Sequence, residues 1–188
     1  MSEPFTLSQL KKLLATPQPP ELGPGPRARV MPLAELQAEI DRALEAGKLP
    51  SVTGRLIRAT ILLWHDHLDT AHALAQEIES ADGSYVHAIM HRREPDYGNA
   101  KYWFRRVGAH ACFPELAAKT AALLQIQDPA GLAMKLAVEH SRWDPYDFID
   151  ECEAAAGQAE STPRTELLRA IQKIEFEVLL EHVYRLEQ

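Results

Sequence analysis

The fold is indicated most clearly by residues 53–80, whose sequence is TGRLIRATILLWHDHLDTAHALAQEIES. Apolar residues recur at helical spacing in its first half, and a polar stretch then interrupts them. Asp69, in that stretch, has the character of a helix N-cap. We therefore predict two antiparallel helices, about Thr53 to Asp66 and Thr70 to Ser80, joined by a tight turn that contains His65 and His67.

Helical signals continue along the chain on both sides of this pair. Thr6 and Gln9 have the spacing of a capping box, which predicts a short first helix. Six of the thirteen prolines lie between Ala15 and Pro32, a composition that cannot continue a helix and is typical of an extended strap. A further helix is expected to begin at Pro32 and to end at Gly47.

Later helix ends are marked by caps and prolines. We predict one helix from about Asp82–Ser84 to Pro95, and another that opens at Asp96 or Asn99 and ends near Gly108. The last helix is expected to run nearly to Gln188. Four prolines fit first helical turns, and the last three follow candidate caps: Pro114, Pro129 after Asp128, Pro145 after Asp144 and Pro163 after Thr162.

The period-two alternation typical of strands is absent throughout the sequence. We therefore predict an all-α fold, an irregular bundle of about eight helices with a Pro-rich N-terminal strap. Residues 1–32 would form a short helix and a Pro-rich linker, and residues 33–188 a single helical domain.

Composition excludes several classes of protein. The net charge of −7 argues against a nucleic-acid binder and against docking on an anionic membrane. Two cysteines, no secretory signal pattern and no apolar run of membrane-spanning length favour a cytoplasmic protein. The sequence contains no phosphate loop, Rossmann fingerprint, nucleophile elbow, HExxH motif or paired CxxC, so the corresponding enzyme and zinc-ribbon classes are disfavoured.

Histidines concentrate in one part of the chain, since six of the eight lie between Trp64 and His110. His87 and His91 are four residues apart and so share one helix face, and Glu94 follows on the same stripe. Two imidazoles and a carboxylate suit Zn, Fe or Mn. The sequence therefore predicts these three residues as metal ligands. The site could be completed by an imidazole from elsewhere, either His65 or His67 in the turn or His72 in the next helix.

The same region is basic within an acidic protein. Residues 84–110 hold five arginines and lysines against two acidic residues, a net charge of +3. Such side chains can bind a carboxylate, a phosphate or a sugar acid, and aromatic rings can wall the ligand. Equally, adjacent arginines can point to different helix faces and pair with the surplus acids. The predicted ligand-binding residues are His65, His67, Arg92, Arg93, Tyr97, Lys101 and Arg106.

General acid–base catalysis by a histidine beside a carboxylate is a third possibility, with His65, Asp66 and His67 as candidates. A nucleophilic Cys112 beside His110 is disfavoured, because nothing in the sequence activates the thiol.

A longer block, HAIMHRREPDYGNAKYWFRRVG (residues 87–108), resembles a family of uncharacterised proteins found in bacteria and fungi. The similarity extends through Trp64–Thr70 and Trp143–Cys152. The resemblance implies a single folded unit after Ser51 and carries no activity or catalytic residue with it.

We therefore expect a site for a small anionic or polar ligand, with a divalent metal such as Zn, Fe or Mn as its potential cofactor. The alternative is a non-enzymatic interaction module, in which the basic and aromatic side chains contact a partner protein. Convergence of the histidines in one place would favour the first function, and a flat exposed patch would favour the second.

Overall fold

The structure, a computed structural model, describes residues 6–128, 131, 136, 142–156 and 162–186. None of these residues lies in a β-strand, which confirms the all-α prediction. No helix formed by them is long and apolar enough to cross a membrane. The described residues form nine helices: α1 (Leu7–Leu13), α2 (Leu33–Gly47), α3 (Ser51–Trp64), α4 (Leu68–Ala75), α5 (Ala81–Arg93), α6 (Tyr97–Val107), α7 (Phe113–Ile126), α8 (Pro145–Ala155) and α9 (Pro163–Arg185).

Most of the predicted helix ends are confirmed. The Thr6 amide donates to Gln9 Oε1 over 2.8 Å, as a capping box requires. Asp144 and Thr162 cap α8 and α9, and prolines occupy the first turns of α7, α8 and α9. The helix predicted at Asp128 and Pro129 lies outside the described residues, and α9 ends at Arg185, short of Gln188.

The helical pair of residues 53–80 forms with different ends. Asp69 is not an N-cap, because α4 begins one residue earlier and Asp69 lies in its first turn. The chain reverses at Asp66, whose φ of 65° is left-handed. This conformation brings the Asp66 carboxylate to the buried guanidinium of Arg93, a tertiary contact that sequence patterns do not report.

Helix α5 lies in the centre of the protein, and every residue from Gly83 to Arg93 is buried. It begins earlier than predicted, because the Ser80 hydroxyl accepts a hydrogen bond from the Gly83 amide over 3.0 Å. Gly83 is required here, since a Cβ at this position would lie 2.2 Å from the carbonyl oxygen of Ile78. The predicted stop before Pro95 is confirmed, and the Asp96 side chain caps α6.

The core forms where α3 and α5 pack with α9. Trp64 at the end of α3 meets Phe176 of α9 edge to face, with ring centroids 5.5 Å apart. Burial of each large apolar side chain of this kind contributes about 1.5–3 kcal/mol. The three helices therefore form a rigid base on which α4 and α6 present their side chains.

Residues 15–32 contain no helix and lie against the buried polar groups of this core. The Gln172 amide donates to the carbonyl oxygens of Pro20 and Glu21 over 3.1 and 3.0 Å. Arg93 donates to the carbonyl oxygen of Gly23 over 3.1 Å. Side chains of the helices thus fix this segment through its backbone.

Candidate metal centre

Three histidines converge where α4 and α5 meet. His87 and His91 lie one turn apart on α5 with stacked rings, and His72 reaches them from α4. The His72 ring centroid is 4.6 Å from that of His87 and 5.3 Å from that of His91. One ring nitrogen from each residue lies within 4.8 Å of the other two. We call these three residues the His87 cluster.

Helix α6 covers the cluster on another side. The Trp103 ring stacks on His87 with centroids 3.9 Å apart and planes inclined by 22°. The Asn99 side-chain amide lies 3.1 Å from His91 Nε2. His87 and His91 are consequently buried, whereas His72 is half-buried. Water is therefore largely excluded from two of the three imidazoles.

His87 is the most unusual member of the cluster. Its side chain is 3% exposed, and neither of its ring nitrogens has a hydrogen-bond partner among the described residues. An imidazole always carries at least one N–H group or charge, so burial without a partner costs about 1–3 kcal/mol. A cation that accepts a lone pair from His87 would recover part of that cost.

Electrostatics keep the buried imidazoles neutral. Burial, followed by the charges that His91 and His72 carry when protonated, lowers the pKa of His87 to about 3. Burial also lowers the pKa of His91, although the Glu94 carboxylate opposes this effect. A neutral imidazole is the form that binds a metal ion, so these two side chains would need no deprotonation to bind one at neutral pH.

Glu94 lies beside the cluster rather than among its three donors. Its Oε2 is 3.3 Å from His91 Nδ1, and its side chain is one-third exposed. A carboxylate in this position accepts the Nδ1 proton, so the lone pair lies on Nε2, where a metal ion would replace the contact from the Asn99 amide. Glu94 contacts His91 in the structure. Its predicted role as a direct metal ligand stays a prediction.

The structure does not bring His65 and His67 to the cluster. His65 Nε2 bonds to the carbonyl oxygen of Leu13 over 2.7 Å, and its Nδ1 accepts from the amide of Met31 over 3.3 Å. His67 Nε2 bonds to the Met31 carbonyl oxygen over 2.9 Å. Both imidazoles hold the N-terminal part of the chain, and it is His72 that faces His87.

Arg92 and Arg93 do not converge on a common ligand position either. Consecutive helix residues point about 100° apart, and each guanidinium has its own buried carboxylate. Arg92 Nη1 donates to Glu175 Oε1 over 3.2 Å, and Arg93 Nη2 donates to Asp66 Oδ1 over 2.7 Å. These arginines neutralise core acids, so the structure gives no support to their predicted role in binding an anion.

The other predicted ligand-binding residues are also separate from one another. Lys101 pairs with Asp150 of α8. Tyr97 lines a cavity of about 540 Å³ between residues 21–27 and the helices α8 and α9. Arg106 lies over the Trp103 ring at 5.1 Å. Arg106 is linked to the His87 cluster indirectly, because the Trp103 ring that it covers stacks on His87.

Sequence reasoning did not assign Asn99 or Trp103 to the metal site. The sequence marks Asn99 only as a possible start of a helix, and Trp103 is not among the predicted site residues. The sequence predicts both α5 and α6, but it has no local signal for how the two helices rotate against each other, and this rotation places Trp103 on His87. The spacing of His87 and His91 is the part of the site that the sequence predicts.

Comparisons of this chain with protein-family models, curated proteins and solved structures find no match. The resemblance of residues 87–108 to an uncharacterised family therefore stays a prediction.

Proposed function

We propose that this protein binds a divalent transition-metal ion through His72, His87 and His91, with the remaining coordination position open to water or to a small anionic or polar ligand. The observation that carries the proposal is His87, a buried imidazole whose two ring nitrogens have no partner among the described residues. It lies between two other histidines with donor nitrogens within reach.

The geometry supports a site of this kind. Donor nitrogens around a tetrahedral zinc ion lie about 3.4 Å apart, as follows from Zn–N bonds of about 2.0–2.1 Å. The observed separations of up to 4.8 Å and the stacked rings of His87 and His91 require side-chain rotations before the three lone pairs meet at one ion. His72, which is half-buried and comes from the short helix α4, has the most room to move. Three imidazoles leave a fourth position open, as catalytic and ligand-binding zinc sites do.

The chemistry of the donors selects the metal. Imidazole binds Zn, Cu, Ni and Fe well, whereas Mn prefers carboxylates and water. Since Glu94 contacts His91 and is not among the three donors, we place Zn and Fe ahead of Mn among the predicted metals. Glu94 would then orient His91 as an outer carboxylate.

The test is metal binding by the full chain purified without a His-tag. Elemental analysis identifies any metal that co-purifies, and calorimetric titration of the stripped protein with Zn²⁺ measures affinity. We expect the His87→Phe protein to bind one Zn²⁺ fewer per chain than wild type. Phenylalanine keeps an aromatic ring against Trp103. The matched control is His67→Gln, a histidine outside the cluster, which should leave affinity unchanged.

Thermal unfolding provides an independent measurement. A ligand that binds only the folded state raises the midpoint, by about 2.7 kcal/mol of stabilisation at a concentration one hundred times its Kd. Zn²⁺ should therefore raise the midpoint of wild type and of H67Q more than that of H87F. An equal midpoint shift, or equal affinity, in H87F and wild type would contradict the proposal.

The alternative function, a protein interaction surface, has weaker support. Trp103 faces inward onto His87, so it is not available to a partner as an anchor residue. Tyr102 is 46% exposed and is the aromatic side chain of α6 best placed for such a contact. Tyr102→Ala should leave metal affinity unchanged, whereas it should weaken the binding of a partner protein that uses this surface. The two measurements together would separate the two functions.

Two further predictions concern the N-terminal strap and the location of the protein in the cell. We propose that residues 15–32 act as a strap over the core, because their carbonyl groups accept hydrogen bonds from Arg93 and Gln172. We also propose a cytoplasmic location, where both cysteines would remain reduced. The described structure has both Cys112 and Cys152 as free, buried thiols.

A further inference from the structure

A second group of metal-binding side chains lies at the opposite end of α5. His110 is in the connection between α6 and α7, Cys112 directly precedes α7, and His182 is near the end of α9. One nitrogen of each histidine and the Cys112 Sγ lie within 4.8 Å of one another. We call these three residues the Cys112 cluster. None of them takes part in the His87 cluster.

Asp82, in the first turn of α5, orients both imidazoles of this cluster. Its Oδ1 lies 3.1 Å from the Nε2 of His110 and 3.1 Å from the Nε2 of His182. Each imidazole therefore donates its Nε2 proton to the same carboxylate oxygen. A neutral imidazole that donates through Nε2 carries its free lone pair on Nδ1.

This hydrogen-bond pattern is the one that surrounds metal-bound histidines. A histidine ligand usually donates its second N–H group to a carboxylate, which fixes its tautomer and the direction of its lone pair. Here one partly buried carboxylate does so for two histidines from different elements. His110 Nδ1 presently accepts the Cys112 amide over 3.2 Å. A metal ion would replace that single, long hydrogen bond.

We propose that His110, Cys112 and His182 form a second metal site that takes a thiophilic divalent cation such as Zn²⁺, with Asp82 as the residue that positions both histidines. The donors come from the connection between α6 and α7 and from α9, so a bound ion would join the end of α9 to that connection. With three protein donors, this site would keep a fourth coordination position open, as the His87 cluster does.

The thiol makes the second site chemically distinct. Cys112 is 2% exposed, and its Sγ has one weak contact, to the carbonyl oxygen of Val178 at 4.0 Å. Burial and the carboxylates of Asp82 and Glu115 raise the pKa of the Cys112 thiol to about 12, so the residue is protonated without a metal. When Zn²⁺ binds, an S–Zn bond forms and the thiol proton leaves to solvent.

The experiment is a titration of the full, tag-free chain with Co²⁺, which occupies zinc sites and whose bond to a thiolate absorbs in the near ultraviolet. It is done in His87→Phe, so that the first site does not contribute. In this background Cys112→Ala is compared with Cys152→Ala, a matched control because Cys152 is the other buried thiol. We expect thiolate absorption at one Co²⁺ per chain, retained in C152A and lost in C112A.

Two further variants test the histidines and Asp82. His182→Gln should lower Co²⁺ affinity more than Asp82→Asn, for which a loss of about 10–100-fold is expected of an outer carboxylate. Circular-dichroism melts in EDTA show which variants fold. If C112A does not fold, the Co²⁺ titration of H182Q tests the second site instead. Unchanged thiolate absorption and Co²⁺ affinity in H182Q would overturn the proposal.

The outcomes separate the two sites. Absence of thiolate absorption at saturating Co²⁺, or its persistence in folded C112A, overturns the second site whatever happens at the first. Thiolate absorption in H87F, together with the same total number of Co²⁺ ions bound per chain in wild type and H87F, supports the second site and overturns the first.

Discussion

Replacement of Asp66 by asparagine tests the buried charge network that sets the position of α5. The Asp66 side chain is 0% exposed, and its Oδ1 lies 2.7 Å from Arg93 Nη2. Its Oδ2 accepts from Arg27 Nε and from the Arg27 amide over 2.9 and 2.8 Å. Asparagine has the same shape and tolerates the left-handed φ of 65° at this position, so the substitution removes charge with little change in backbone strain.

The expected loss follows from the burial of the partner. Arg93 is also 0% exposed, and removal of one member of a buried ion pair costs about 3–5 kcal/mol. The carbonyl groups of Gly23 and Leu63 continue to accept from Arg93, so we expect the lower end, about 3 kcal/mol. For a chain of this length each kcal/mol corresponds to about 2–4 °C. The melting midpoint of D66N should therefore fall by about 6–12 °C.

The assay is urea and thermal unfolding at pH 7 in EDTA, followed by circular dichroism. Asp41→Asn is the control, because Asp41 pairs with Arg58 at the surface and is 53% exposed. Such a pair contributes about 0–1 kcal/mol. If D66N lost no more stability than D41N, the Asp66–Arg93 pair would not stabilise the fold as reasoned here.

The pH dependence gives a second check on the same residue. Burial alone would raise the pKa of Asp66, but the Arg93 charge and the hydrogen bonds from Arg27 outweigh it and lower the pKa. A lowered folded-state pKa stabilises the protein above the unfolded value of about 3.9, and this contribution is lost as the pH falls through the folded-state value. The stability difference between wild type and D66N should therefore be constant near neutral pH and shrink below about pH 4.

Three other substitutions test single features. His87→Phe should raise the free energy of unfolding of the metal-free protein by about 1 kcal/mol, because it removes two buried nitrogens that have no partner among the described residues; a loss in urea unfolding would contradict this. Gly83→Ala should cost about 1–3 kcal/mol, since its Cβ would lie 2.2 Å from the Ile78 carbonyl oxygen, and an unchanged melting midpoint would refute it. Glu94→Gln should weaken Zn²⁺ binding about 10–100-fold through the orientation of His91, and calorimetry that finds no change would exclude that role.

Arg92 and Arg93 are residues whose roles the sequence does not reveal. The positive charge between Ser84 and His110 is visible in the sequence and suggests an anion site. The structure instead pairs Arg92 with Glu175 of α9 and Arg93 with Asp66 in the turn before α4. Both acids are distant in sequence from these arginines, so only the packing of the helices shows that the charges are already neutralised.

The helical class and most of the helix ends can be predicted from the sequence, because they depend on local interactions. Caps such as Thr162 and Asp144 bond to amides two or three residues away, and prolines act on the turn in which they lie. The common face of His87 and His91 is local in the same sense, since it follows from a helical period of 3.6 residues.

Which groups meet across helices depends on the packing of the whole fold and is visible in the structure alone. This packing selected His72 over His65 and His67 to face His87, placed Trp103 on that imidazole, and buried the polar helix α5 at the centre of the protein. These contacts depend on how whole helices rotate and cross, and many residues outside the site contribute to that packing free energy. No short pattern therefore encodes them.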